Sequence, residues 1–336
     1  MKKIILRALC ILLCLTFLLP FASCQRQERQ EKSFFLMDTP ITVTLYTDKK
    51  TAEAIFAECR TILSELDDLW SRTKENSDVG RFNVAQNSTE LDPRTTALIE
   101  KAMDVTQKTN GAFDVTVAPL VNLWQASEER GTLPTEQELQ AALTLVGTSH
   151  LNLKDNTLAK IEKGVQIDLG GIGKGAAISA LISYLESCDG VHGGLVSFGS
   201  NVAVFGEKPD GKPFRIALKN PKAESGYAGV LNLKAGQILS VSGDYERYYT
   251  VNGEKYHHIL DPEAGYPAVS GLCSVAVICS DGALADALST ALFVMGEENA
   301  RAFYESKIYD FEAVFIDQGG NVTTTAGLAD VFEGQE

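Results

Sequence analysis

A glycine-rich turn from Asp168 to Gly175, Asp-Leu-Gly-Gly-Ile-Gly-Lys-Gly, is the first segment whose residues could do chemistry. Glycines let backbone N–H groups approach a ligand closely, and the helix predicted over Ala176–Glu186 directs its positive N-terminal end to the same place. The turn therefore favours an anion, although a plain strand–helix turn has the same composition. It is not the phosphate loop of nucleotide hydrolases, because Gly175 rather than Ser or Thr follows Lys174.

The same turn also matches the relaxed dinucleotide-binding fingerprint, Gly171-x-Gly173-x-x-Ala176. That fingerprint requires an acidic residue about 20 positions further on, at the end of the next strand. The next predicted strand, residues 194–198, ends in Gly199-Ser200 instead. The sequence therefore argues against a Rossmann site.

The second segment is an apolar helix predicted from Ala283 to Met295, whose polar side chains are Asp286, Ser289 and Thr290. A carboxylate in such a helix has to be paired, solvated through a cavity or bound to a cation. Asp286 and Thr290 are four residues apart and share a helix face, and two hard oxygen donors at this spacing suit Mg²⁺. A buried aspartate that caps another element explains the same pattern, so both interpretations stay open at this point.

Two further segments carry polar residues beside apolar ones. Tyr256–Pro262 contains His258 three residues before Asp261, next to a rigid turn, which can place an acid or base at a cleft edge. A histidine pair such as this is also common in purely structural roles. The segment Asn110–Trp124 is apolar around Asp114 and, taken alone, indicates core.

The elements that position these residues alternate irregularly between short strands and helices. Helical periodicity predicts helices over 51–69, 95–109, 135–145 and 176–186 in addition to 283–295. Alternating or apolar runs predict strands over 41–46, 165–169, 194–198, 201–205, 213–218, 229–233, 237–242 and 275–278. Because regular βαβ alternation is absent, we expect an α+β fold with mixed, mainly antiparallel sheets flanked by helices in two closely packed lobes.

Charge and the N-terminus restrict partners and location. The net charge is −14, which disfavours nucleic acid because its phosphates would be repelled. Lys2, Lys3 and Arg7 precede an apolar stretch that ends in Ala22-Ser23-Cys24, an arrangement similar to a bacterial lipoprotein signal. A plain transmembrane anchor is the alternative. We predict a signal peptide over 1–23, a lipid anchor on Cys24 and a flexible tether over 24–33, with a single domain over 34–336.

Taken together and in order, these segments resemble the ApbE family, the FAD:protein FMN transferases, over nearly the whole chain after residue 23. The matching pieces are Met37-Asp38-Thr39, Ser77–Asn83, Gly111–Asp114, Asp168–Gly175, Ser242–Tyr245, His257–Pro262 and the helix with Asp286 and Thr290. The order of seven such pieces disfavours an unrelated solute-binding lipoprotein.

The resemblance implies a role for individual residues. An FAD site would be lined by Met37, Ala112, Phe113, Asp114, Asp168, Lys174 and Ile259. Mg²⁺ would be held by the Gly171 carbonyl, Asp286 and Thr290, and the catalytic residues would be Asp286 and His258, the latter near the reacting phosphate. Two positions depart from the family pattern: Thr73 replaces a flavin-stacking aromatic of some relatives, and Gly173 replaces the more usual alanine.

The activity implied is phosphoryl transfer with FAD as substrate and Mg²⁺ as cofactor. FMN would be attached by a phosphoester bond to a threonine or serine of an acceptor protein, and AMP would leave. The acceptor would be a membrane redox subunit or an FMN-binding domain, met outside the cytoplasm at the bacterial cell membrane. The alternatives are an FAD pyrophosphatase that releases FMN and AMP, left open by Thr73, and a non-catalytic FAD-binding protein.

Overall fold

The chain begins its described fold with a long antiparallel hairpin. The computed structural model describes residues 28–224 and 226–334, so the predicted signal peptide and Cys24 lie outside the described residues. Strand β1 (Glu28–Leu36) pairs with β2 (Thr39–Thr47) along its whole length. The predicted tether over 24–33 is therefore wrong for residues 28–33, because their backbone groups pair with β2 although their side chains are mostly polar.

The helices begin where the sequence supplies capping groups. Asp48 and Asp92 accept backbone N–H groups of the first turns that follow them, and Thr135 forms a reciprocal capping box with Glu138. The helices of the described residues are α1 (Lys49–Trp70), α2 (Asp78–Val84), α3 (Pro93–Lys108), α4 (Ala118–Arg130), α5 (Glu136–Leu143), α6 (Gly173–Glu186) and α7 (Gly282–Glu305). None of the helices described is long and apolar enough to cross a membrane.

The remaining strands form one large sheet and three small ones. They are β3 (Ser88–Glu90), β4 (Leu151–Lys154), β5 (Thr157–Lys160), β6 (Gly193–Phe198), β7 (Asn201–Gly206), β8 (Phe214–Lys219), β9 (Tyr227–Leu233), β10 (Ile238–Gly243), β11 (Tyr248–Val251), β12 (Glu254–His257), β13 (Leu272–Cys279), β14 (Glu312–Asp317), β15 (Val322–Thr324) and β16 (Phe332–Gly334). The large sheet has the order β1-β2-β6-β7-β10-β13-β14-β15. The pairings among these described strands are antiparallel, which confirms the α+β prediction.

The large sheet is covered on both faces, which explains why every residue of β13 is buried. Val275 and Val277 belong to the core shared with α6 and α7. Ala276 and Ile278 point the other way, into a second core shared with the small sheet β16-β9-β8. Successive strand residues face opposite sides, so a strand between two apolar layers has to be apolar throughout.

The predicted strand over 165–169 is not formed, and this prediction was wrong. The Asn83 side chain takes its place in the hydrogen bonding: Nδ2 donates to the Ile167 carbonyl at 2.9 Å and Oδ1 accepts from the Ile167 N–H at 2.7 Å. The Asp168 N–H donates to the Val115 carbonyl at 2.7 Å. An extended segment is therefore held by side chains and a loop rather than by a neighbouring strand.

Candidate functional site

The site is built where α6 and α7 cross at two glycines. A Cβ added at Gly175 would lie 1.9 Å from the Gly282 carbonyl oxygen, and one added at Gly282 would lie 2.2 Å from the Gly175 carbonyl oxygen. Only glycine permits this approach, since real Cβ atoms do not come so close to backbone. The first turn of α6 is thereby pressed against the first turns of α7, where Asp286 lies.

Asp286 is a buried carboxylate with several partners. It is 4% exposed, and its Oδ2 accepts the Gly175 N–H at 2.9 Å. Its Oδ1 lies 3.1 Å from the Ser240 hydroxyl oxygen, and the Lys174 ammonium is 3.8 Å from Oδ2. An N–H, a hydroxyl and an ammonium offset the cost of burying this charge. The carboxylate is held at the end of the glycine-rich turn, where α6 begins.

Thr290 lies next to Asp286 on α7, and Gly171 lies next to Thr290. Thr290 lies one helical turn beyond Asp286, and its Oγ1 is 3.2 Å from the Ser242 hydroxyl oxygen. The position of a Cβ on Gly171 would be 3.6 Å from Thr290 Oγ1. The structure therefore brings together the three residues predicted as metal ligands, from two elements far apart in sequence.

The donor set fits a hard cation. A carboxylate, a hydroxyl and a backbone carbonyl are the oxygen ligands that Mg²⁺ takes, and this ion keeps several of its waters. In the described part of the chain, no three His, Cys, Asp or Glu side chains form a cluster suited to a metal. These three residues could hold a cation such as Mg²⁺.

Lys174 is folded back over the turn rather than extended into solvent. Its ammonium donates to the Gly170 carbonyl at 2.8 Å and faces Asp286, with 19% of its side chain exposed. A half-buried ammonium at the N-terminal end of a helix adds to the positive potential of the turn. This arrangement is suited to an anionic group such as a pyrophosphate.

The Asp168 carboxylate has one backbone partner and one arginine partner. Its Oδ1 accepts the Gly170 N–H at 2.7 Å and its Oδ2 is 3.2 Å from Arg72 Nε. The two terminal nitrogens of Arg72 each donate at 2.8 Å, one to Asn122 and one to Gln125. Arg72 was not predicted as a site residue, because its contacts come from segments about 50 and 100 residues away in sequence.

A surface groove opens beside Arg72. Its volume is about 250 Å³. The groove is lined by Arg72, Thr73, Lys74, Glu75, Gly80, Asn83, Val84, Asn122 and Gln166. Thr73 is exposed in this wall and presents only a small hydroxyl side chain.

The hairpin turn between β1 and β2 reaches the glycine-rich turn. Met37 and Asp38 both have positive φ, 51° and 52°, as a two-residue hairpin turn of this type requires. Met37 Cε lies 3.9 Å from the position a Cβ would take on Gly173. On the other side, Phe113 Cε2 lies 3.2 Å from the corresponding position on Gly171. Two of the predicted FAD-lining residues therefore border the turn directly.

Three other residues predicted to line the FAD site have different surroundings. Asp114 is buried and its carboxylate accepts the Thr116 N–H at 2.7 Å and the Thr148 N–H at 3.2 Å. Burial raises the pKa of Asp114 above its usual value, and these hydrogen bonds offset the rise only in part. The structure thus gives Asp114 a role in joining two loops; its predicted contact with FAD stays a prediction. Ala112 is half-buried next to Phe113, and Ile259 is buried.

His258 has one ring nitrogen committed to a backbone carbonyl. Its Nδ1 donates to the Arg247 carbonyl at 3.0 Å, which leaves Nε2 as the acceptor nitrogen of the neutral ring. Burial, with the nearby Arg247 and Lys174 charges, lowers the pKa of His258 to about 3. The imidazole is therefore neutral at physiological pH and able to accept a hydrogen bond from a hydroxyl.

The other polar residues of this segment are structural. His257 Nε2 donates to the Ala268 carbonyl at 3.0 Å, and its ring packs edge-on against Phe293. The Asp261 carboxylate accepts the Glu263 N–H at 2.8 Å. Asp261 therefore closes its own turn, whereas His258 is held by the Arg247 carbonyl.

The serines around Asp286 were also missed. Ser240 and Ser242 lie two positions apart in β10 and therefore face the same side of the sheet, toward Ser289 on α7. Alternating serines in an otherwise apolar, buried strand were a usable signal for a polar site, because a buried strand face is normally apolar. Their partner on α7 could not be identified from the strand alone.

The chain is similar to known proteins over most of its length. Residues 37–315 match the model of the ApbE family. The FAD:protein FMN transferase of Vibrio cholerae is 32% identical, with 88% of this chain and 90% of that protein aligned. The FAD:protein FMN transferase of Haemophilus influenzae is 30% identical, with 97% of each chain aligned.

Solved structures give the same result. The apo form of the Pseudomonas stutzeri flavinyl transferase ApbE superposes with a TM-score of 0.80 at 31% identity, covering 92% of this chain and 98% of that one. An ApbE protein from Thermotoga maritima superposes with a TM-score of 0.83 at 32% identity, covering 91% of this chain and all of that one (100%). The likeness therefore extends over the whole described fold.

Proposed function

Since this chain belongs to the ApbE family, we propose that it is an FAD:protein FMN transferase that attaches FMN to a threonine or serine hydroxyl of an acceptor protein and releases AMP. The observation that carries the proposal is the meeting of Asp286 with the glycine-rich turn. A carboxylate for a cation and an ammonium for a phosphate lie 3.8 Å apart in a partly covered site. This pairing is what a pyrophosphate substrate with a bound divalent cation requires.

The reaction follows from the chemistry of the substrate. The acceptor hydroxyl oxygen attacks the phosphorus of the FMN half and the bond from that phosphorus to the AMP oxygen breaks. AMP leaves with that oxygen, and the hydroxyl proton passes to solvent water. Nε2 of His258 accepts the hydrogen bond of the attacking hydroxyl and orients it. Lys174 and the N–H groups of the turn hold the pyrophosphate and stabilise its developing charge.

Asp286, Thr290 and the Gly171 carbonyl are the residues that would hold Mg²⁺. When bound, this ion neutralises phosphate oxygens and so favours departure of AMP. The chain itself fixes the carboxylate through Gly175 and Ser240, so little reorganisation is needed when substrate arrives. Positioning and charge stabilisation, rather than covalent chemistry of the protein, make up the proposed catalysis.

The proposed acceptor is a membrane redox subunit or FMN-binding domain that meets this enzyme outside the cytoplasm. The proposal is supported by the basic residues, the apolar stretch and Ala22-Ser23-Cys24 at the N-terminus, which favour lipidation of Cys24. Only three residues separate Cys24 from the start of β1 at Glu28. A lipid at Cys24 would therefore keep the fold close to the membrane surface.

Hydrolysis of FAD to FMN and AMP is a second candidate activity of the same site. It is favoured by Thr73, whose small and exposed side chain leaves the groove beside Arg72 open to water. In that reaction water replaces the acceptor hydroxyl, and the same P–O bond breaks.

One experiment separates these activities. The chain lacking residues 1–23 is incubated with FAD, Mg²⁺ and a purified FMN-accepting domain, and a domain with its acceptor threonine changed to alanine serves as control. Transfer yields a fluorescent protein band in denaturing gels together with AMP, and the control domain stays dark. AMP and FMN without a fluorescent band would establish hydrolysis. If no AMP and no fluorescent band were formed, the proposed function would be overturned in favour of a non-catalytic carrier.

A further inference from the structure

A buried asparagine lies on the far side of Ser240 from Asp286. Asn201, the first residue of β7, is completely buried (0% exposed), and its Oδ1 lies 2.8 Å from the Ser240 hydroxyl oxygen. The same hydroxyl oxygen is 3.1 Å from Asp286 Oδ1. With the amide in this orientation, Asn201 Nδ2 has no hydrogen-bond partner within the described part of the chain.

Counting protons selects one orientation of the Asn201 amide. Ser240 has a single hydroxyl proton, which cannot be donated both to Asn201 Oδ1 and to the Asp286 carboxylate. Buried N–H groups are nearly always satisfied, so an orphaned amide NH₂ beside an acceptor is unfavourable. Rotating the amide by half a turn lets Nδ2 donate to Ser240 and leaves the Ser240 proton for Asp286. The amide oxygen then takes the position that has no partner among the described residues, and a buried oxygen without a donor is tolerated more often than an orphaned N–H group.

We propose that Asn201 is a positioning residue for Asp286, acting through Ser240. By donating to the Ser240 oxygen, the Asn201 amide obliges the hydroxyl to donate to Asp286 Oδ1. Because Gly175 holds Oδ2 at 2.9 Å, the two contacts together fix the plane of the carboxylate. The inference rests on the proposed function, since it assigns Asn201 to the metal-holding side of that site.

The second contact partner of Ser240 does not compete with this arrangement. Ser289 Oγ is 3.3 Å from Ser240 Oγ, but it lies closer to the Asp286 main-chain carbonyl, at 2.9 Å, and can donate there. Ser242, 2.8 Å from Ser289, then donates to Ser289. Every hydroxyl of the cluster has an acceptor, and the Ser240 proton is left for Asp286.

A double-mutant cycle tests whether Asn201 acts through Ser240. The variants are Asn201→Ala, Ser240→Ala and the double variant. The first readout is the binding of Mn²⁺ alone, measured by electron paramagnetic resonance. The second is the Mg²⁺ concentration that gives half-maximal FMN transfer. Groups that orient a metal ligand typically change metal affinity by 10- to 100-fold, so each single variant should weaken Mn²⁺ binding about 10-fold. The double variant should bind no more weakly than Ser240→Ala, because Asn201 has no route to Asp286 without Ser240.

Asn220 provides a matched control, since it is a buried asparagine (3% exposed) hydrogen-bonded to the Gly320 carbonyl away from the cluster. Asn220→Ala should lower the melting temperature and leave Mn²⁺ binding at the parental value. Additive losses in the double variant, or parental Mn²⁺ binding by Asn201→Ala, would overturn the role of Asn201. Asp286→Asn is measured in parallel. If this variant binds Mn²⁺ like the parent, the proposed metal site is wrong as well. If Asp286→Asn loses Mn²⁺ binding while Asn201→Ala keeps it, only the inference about Asn201 is wrong.

Discussion

The Gly175 N–H donates to the Asp286 carboxylate at 2.9 Å, across 111 residues of sequence. A Cβ on Gly175 would lie 2.7 Å from Asp286 Cβ and 1.9 Å from the Gly282 carbonyl oxygen. The hydrogen bond and the close helix crossing therefore both require a glycine at position 175. The position of the carboxylate relative to the phosphate-binding turn is set by a backbone contact.

Gly175→Ala should separate α6 from α7 and damage both stability and activity. The added methyl collides with backbone that cannot move alone, and overpacking of this kind costs about 3 kcal/mol or more of unfolding free energy. Gly173→Ala is the matched control, because its Cβ would meet only ordinary contacts at 3.9 Å. Thermal unfolding and FMN transfer should be close to parental for Gly173→Ala and strongly reduced for Gly175→Ala; equal behaviour of the two would refute the crossing argument.

Asp286→Asn should abolish FMN transfer in a protein that still folds. The amide keeps the size of the carboxylate and loses the charge, so transfer should fall ~100-fold or more, equivalent to about 3 kcal/mol of transition-state stabilisation. The parent should be stabilised against heat by Mg²⁺ plus FAD, and the variant should not. A folded variant that transfers FMN at the parental rate would remove Asp286 from the mechanism.

Lys174→Ala should weaken FAD binding more at low salt than at high salt. The ammonium acts on phosphate as a point charge, and salt screens that attraction. Lys163→Ala removes the same charge from an exposed loop and should leave FAD affinity unchanged. Titration of FAD at two ionic strengths measures the effect; the same affinity as the parent at both would place Lys174 outside the phosphate site.

His258→Gln should make the protein less sensitive to acid. The pKa of His258 is about 3 in the folded chain against 6.5 for a free histidine, so the unfolded chain binds the proton first on acidification. The free energy of unfolding therefore falls as the pH drops from 6.5 toward 3. Melting temperatures without FAD should fall less over this window in His258→Gln than in the parent, while His192→Gln, at an exposed position, should follow the parent.

Cys24→Ser should release the protein from membranes or leave its signal segment uncleaved. The acyl chains expected on Cys24 supply the membrane affinity by burying methylenes in the bilayer. Cell fractionation and gel mobility of the parent and the variant provide the measurement. Identical fractionation and mobility would show that another segment anchors the protein, or that no anchor exists.

Local patterns in the sequence were sufficient for most of the elements. The apolar run of β13, the helical periodicity and the caps of α1 and α3 depend on neighbours a few residues away, so they could be predicted without a fold. The resemblance to the family also implies Asp286, Thr290 and Gly171 as metal ligands, and this role stays a prediction. The segments 28–33 and 165–169 were predicted wrongly. Residues 28–33 are polar in sequence but pair with β2 through their backbone, and the Asn83 side chain makes the hydrogen bonds at Ile167 that a neighbouring strand would make.

The site itself was decided by contacts between segments distant in sequence. Asp168 is bracketed by Arg72, Asp114 joins two loops, and Asn201 reaches Asp286 through Ser240, none of which follows from the spacing of residues along the chain. The hydrophobic periodicity of a helix or strand indicates which of its sides is buried, but not which other residues that side contacts. The sequence by itself thus determined which residue types are present on each element, and only the packing of α6 against α7 at two glycines decided which of them meet.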